Sequence, residues 1–142
     1  MRMIVLTLVA LSVLACGEKK AEESARSGMQ GMMMRSDSLM PMMRAHLDSL
    51  AALSPQFAAG VLGTHEAMAS RMLDAMGGDM TAMGMTPDPA WTALTDSIKR
   101  DLADLPTVSG RALDARLKEH IERMRRLMAM HESMMQRMKR PT

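Results

Sequence analysis

The chain has 142 residues, a formal net charge of +2 and almost no aromatic side chains: one Trp, one Phe and no Tyr. The length suits a single domain. The small charge and the missing aromatics exclude the basic, base-stacking surfaces used to bind nucleic acid. Methionine occurs 21 times. Its thioether fills irregular core gaps, and it is also a soft ligand that selects monovalent copper.

The first element is a leader. Arg2 precedes an apolar run from Met3 to Ala15, followed by Cys16 and Gly17. The run is too short to span a bilayer as a stable helix. A basic start, a short apolar stretch and small residues at its end form the pattern of a secretory signal. The ending Val13-Leu14-Ala15-Cys16 resembles the lipobox of bacterial lipoproteins. That resemblance implies a signal peptide over residues 1–15 and a lipid on Cys16, and Gly17 after the Cys implies the outer membrane, facing the periplasm. Cys16 is the only Cys, so no internal disulfide can form. Acyl chains on Cys16 would make the membrane surface a partner of the protein.

Residues 16–35 read as a tether. Glu18-Lys19-Lys20-Ala21-Glu22-Glu23-Ser24 offers too little apolar surface to fold. Met29-Gln30-Gly31-Met32-Met33-Met34 follows, and it resembles the short Met motifs of extracellular copper-acquisition segments.

Residues 36–142 read as an all-α domain, since no alternating β-branched run occurs. A first helix is expected over 37–53, with Leu39, Met43, His46, Leu50 and Leu53 on one face and Ser36 or Asp37 as cap. A second starts at Ser54-Pro55, where Ser caps and Pro fits the first turn. Its stripe is Val61, His65, Met68, Met72 and Met76. Gly77-Gly78 should weaken or kink it ahead of an extension with Met80 and Met83. A third begins at Asp88-Pro89 and buries Trp91, Leu94, Ile98, Leu102 and Leu105, until Pro106 blocks it. A fourth runs from near Ser109 to Lys139. Leu113, Leu117, Ile121, Met124, Met128, His131, Met135 and Met138 form its stripe, widened by His120, Leu127 and Met134. Asp114/Lys118, Glu119/Arg123 and Glu122/Arg126 support its solvated face. Short connections favour an up-down four-helix bundle.

All four His residues lie on or beside apolar stripes. With a rise of about 1.5 Å per residue, His46, His65 and His120 fall roughly 10, 15 and 16 Å from the same end of such a bundle. They form a candidate metal site with Met43, Met68 and Met124. Imidazole with thioether favours Cu(I), or Ag(I) by analogy. His131 lies too deep to share that ion, and a second layer would use Met134, Met135, Met76 or Met80 with it. Its place near the helix end favours a simple exposed His instead. Carboxylates such as Asp48 and Glu66 are alternative partners for the imidazoles. The third helix supplies Leu94 and Ile98 at this level, with no ligand. No phosphate loop, nucleophile elbow, catalytic Cys or di-iron Glu-x-x-His pair is present, so no reaction is assigned.

The stretches His65-Glu66-Ala67-Met68 and His131-Glu132-Ser133-Met134 resemble the H-x-x-M units of Met/His-rich periplasmic copper-handling helical proteins. The resemblance implies non-enzymatic binding or buffering of Cu(I) or Ag(I) outside the cytoplasm. Leu53-Ser54-Pro55-Gln56 more faintly resembles the motif of periplasmic stress chaperones and metal-resistance sensors. The alternative expectation is therefore a chaperone-like or stress-sensing module that holds an unfolded client on a Met-rich surface. A third is an oxidant sink formed by exposed Met.

Overall fold

The computed structural model describes residues 38–139, which are all-helical, with four α-helices and no strand. The leader, Cys16 and the Met29–Met34 cluster lie outside the described residues. Among the described residues no helix is long and apolar enough to cross a membrane.

Helix α1 covers 38–51. It buries Met40, Met43, Leu47 and Leu50, spaced at three and four residues so that they share a face. Leu53, expected on the stripe, lies past the helix end and is exposed. The turn to α2 is short, with Leu53 N–H donating to Leu50 O. Ser54 occupies the N-cap position of α2 (Pro55–Ala82), yet its side chain makes no capping bond. Pro55 at the first turn leaves one donor fewer to satisfy there.

Helix α2 passes through Gly77-Gly78 unbroken, because Met76, Asp79 and Met80 around the glycines are all buried. Tertiary packing here outweighs the roughly 1 kcal/mol that each helical glycine costs. The helix stops instead at Gly84, whose φ of 64° admits the left-handed turn. Gly84 N–H donates to Thr81 O and Met85 N–H to Met80 O, the paired bonds of a Schellman ending.

Helix α3 (Pro89–Asp104) starts as its sequence requires: Asp88 Oδ1 accepts from Trp91 N–H at 2.7 Å. Trp91, Ile98 and Leu102 are buried along it. Pro106 falls in a single 3-10 turn, Leu105–Thr107, and α4 (Gly110–Lys139) follows. On its outer face Lys118 reaches Asp114 at 2.8 Å and Arg123 reaches Glu119 at 3.0 Å. Glu122 pairs with Arg125 rather than with Arg126.

Helix α4 gathers the others. Asp48 and Arg44 of α1 pair with Arg125 and Glu132 in opposite order along the two helices. Asp104 and Asp101 of α3 do the same with Arg116 and Arg123. His65 and Asp79 of α2 meet His120 and His131 in the same order. Between them lies a core in which Met40, Met43, Met72, Met76, Met80, Met124 and Met128 pack with Leu and Ile. Thioether chains take the space that aromatics fill elsewhere.

Candidate metal centre

Helices α1, α2 and α4 each turn one histidine inward at the same level. His46 Nε2 lies 3.1 Å from His65 Nδ1, and His65 Nε2 lies 2.8 Å from His120 Nε2. The His46 and His65 rings stack at 20°, whereas those of His65 and His120 stand at 89°. His65 and His120 are fully buried and His46 is half-buried. The helical rise alone brings the three rings to one depth; the facing of the stripes turns them toward each other.

The rings form a row. His65 offers opposite nitrogens to its two neighbours, so the three do not surround a common point. Among the described residues no three His, Cys, Asp or Glu side chains stand in a metal-holding group. Two ligands of one tetrahedral ion sit about 3.3 Å apart for bonds of about 2 Å. The 2.8 Å between His65 and His120 is a hydrogen bond that an ion would have to open.

The row continues into α3, which the sequence reading left without a polar contributor at this level. Asp101 Oδ2 accepts from His120 Nδ1 at 3.2 Å. Arg123 Nη1 holds both Asp101 oxygens, at 2.6 and 2.7 Å, and that hydrogen bond raises the Arg123 pKa above its ordinary value. Asp48 and Glu66, the carboxylates considered from sequence, are not the partners. Asp48 goes to Arg125 at 2.7 Å, and Glu66 is exposed. Asp101 was legible in principle, since Leu94, Ile98, Asp101 and Leu105 follow the stripe spacing of α3.

Burial sets the protonation of the row. It pushes His65 down from 6.5 to about 3, and the neighbouring His120 and His46 push the same way. Burial also lowers His120, while the hydrogen bond to Asp101 opposes it. Removing an imidazolium from water disfavours the charged form, so His65 is neutral near pH 7 and carries a lone pair.

The sulfur residues lie one turn further along the same helices. Met43 and Met124 are buried and Met68 is half-buried. His131 is buried, not exposed as its place near the helix end suggested: its Nε2 stands 3.3 Å from Asp79 Oδ2. Its ring centroid is 6.2 Å from that of Trp91. Met76 is buried on the same helix as Asp79, and Met134 and Met135 are half-buried. Asp79 went unnoticed in the sequence, although Met72, Met76 and Asp79 share one stripe.

No family model, curated protein or solved structure matches this chain.

Proposed function

We propose that the protein is a lipid-anchored, non-enzymatic binder of soft monovalent metal ions, Cu(I) or Ag(I), outside the cytoplasm. In this reading the signal is removed, Cys16 carries the lipid at the outer membrane, and residues 36–142 form an up-down four-helix bundle. The helix pairings support the bundle: α1 and α3 run against α4, and α2 runs with it.

The observation that carries the metal reading is the row His46–His65–His120 inside a methionine core. Buried imidazoles whose protonation is suppressed keep their lone pairs. Thioethers of Met43, Met68 and Met124 bias such a site toward Cu(I) and Ag(I) over harder ions. An ion between His65 Nε2 and His120 Nε2 would need a lone pair on each, so the His65 proton would move to Nδ1 and the His46 proton in turn to its outer Nδ1, and thioethers would complete the shell. His131 with Met76, Met134 and Met135 would form a second layer.

Client holding has less to build on. Most of the described methionines point into the core, and Met42 and Met138 are the strongly exposed ones among them. The same inward packing weakens the oxidant-sink reading, which needs accessible sulfur.

Titration of the full chain in detergent with Ag(I), or with Cu(I) under reducing conditions, tests the proposal. Saturable binding that weakens on His65→Ala and on His120→Ala supports it. Absence of saturable uptake, or uptake unchanged by both substitutions, removes it.

A further inference from the structure

Two ring nitrogens at 2.8 or 3.1 Å bond only if one carries a proton and the other a lone pair. A neutral imidazole has one of each. Three neutral rings in a row therefore have two self-consistent proton orders, one the reverse of the other. Nothing within the row chooses between them.

The choice is made at its end. Asp101 Oδ2 stands 3.2 Å from His120 Nδ1, and both carboxylate oxygens are held by Arg123 Nη1. An ionised carboxylate only accepts. His120 must then carry its proton on Nδ1 and present a lone pair at Nε2. That lone pair accepts from His65 Nε2–H, and His65 Nδ1 accepts from His46 Nε2–H. The final lone pair, on His46 Nδ1, falls on the half-buried ring of α1.

We infer that Asp101, clamped by Arg123, is a positioning residue that sets the proton order of the whole His46–His65–His120 row, reaching two rings through the third. Second-layer carboxylates of this kind fix both the tautomer and the orientation of a ligating imidazole. Here one carboxylate does so for three rings. The consequence for metal affinity rests on the soft-metal reading above; the proton order does not.

The test is a long-range 1H–15N correlation spectrum of the imidazoles in the full-length, metal-free chain in detergent micelles at neutral pH. The wild type should show His120 protonated on Nδ1, and His65 and His46 on Nε2. Asp101→Asn is close to isosteric. Its oxygen stays with Arg123, which can only donate, so its amide N–H turns to His120 Nδ1. An exchange of this kind imposes the opposite tautomer on a partnered imidazole. All three protons should then change nitrogen: His120 to Nε2, His65 and His46 to Nδ1. Ag(I) affinity should fall roughly tenfold or more in the same variant. A wild-type His120 protonated on Nε2, or identical ring patterns in wild type and Asp101→Asn, would overturn the inference; the wild-type spectrum decides even if the variant fails to fold. A wild-type chain that binds no Ag(I) sinks the metal reading alone, since the spectra are taken without metal.

Discussion

His65 Nε2 sits 2.8 Å from His120 Nε2, with the two rings almost perpendicular. The residues come from α2 and α4, 55 positions apart, and both are buried. Each therefore meets its polar partner inside the protein rather than in water, and burial disfavours the protonated form of both rings.

Stability should fall as the solution is acidified. His65 titrates near 6.5 when unfolded and about 3 when folded. Between those values the unfolded chain binds a proton that the folded chain refuses. The contribution of neutral His65 is thus complete above pH 6.5 and is lost progressively down to about pH 3. The expected slope is about 1.4 kcal/mol per pH unit from this residue, with His120 adding in the same direction. Urea unfolding between pH 7 and 4 measures it, and His65→Leu should flatten the slope.

Packing and ligation by sulfur separate at Met124, which is fully buried. Met124→Leu keeps the volume and should cost less than about 1.5 kcal/mol, yet it removes the thioether and should weaken Ag(I) binding. Met124→Ala opens a cavity and should cost about 2–5 kcal/mol. Chemical denaturation and metal titration on the two variants distinguish the roles. If Met124→Leu binds Ag(I) like the wild type, Met124 is packing alone.

Trp91 gives a built-in reporter of which layer loads first. It is the only Trp, and its ring stands 6.2 Å from that of His131. Asp101, which touches the upper row, lies about 15 Å further along the same helix. The first equivalent of Ag(I) should leave Trp91 emission nearly unchanged if it enters between His65 and His120. Strong quenching by that equivalent would assign the first ion to the His131 layer.

Two glycines should respond in opposite senses. A Cβ on Gly77 would meet no atom within 4 Å, so Gly77→Ala should stabilise helix α2 by up to about 1 kcal/mol. Gly110 has a φ of 56°, where an L side chain is strained. Gly110→Ala should destabilise by about 1–2 kcal/mol. Thermal melts of the two variants should move in opposite directions.

Much of the helical layout was legible locally. Asp88-Pro89 marks the start of α3 because its carboxylate and proline satisfy the first turn, and Pro106 marks its end because it cannot continue a helix. Gly77-Gly78 misled, since propensity records a local cost while burial of Met76, Asp79 and Met80 is a property of the packed whole. The shared depth of His46, His65 and His120 followed from helical rise. Their contact as a row did not, because rise fixes height along an axis and says nothing of how a ring is turned. Asp101 was passed over for a related reason: an acidic residue beside Ile98 and Leu102 reads as the edge of a solvated face until a guanidinium and an imidazole are found against it.

By itself the amino-acid order determined helical periodicity, the capped start of α3, the proline-marked ends, and the histidine and methionine stripes. These depend on neighbours a few positions away. Only the tertiary structure decided that His65 faces two imidazoles at once, that Asp101 and Arg123 close the row, and that His131 is buried against Asp79. Each of those depends on groups 19 to 55 positions apart, and only the packing of helices brings such groups within the reach of a hydrogen bond.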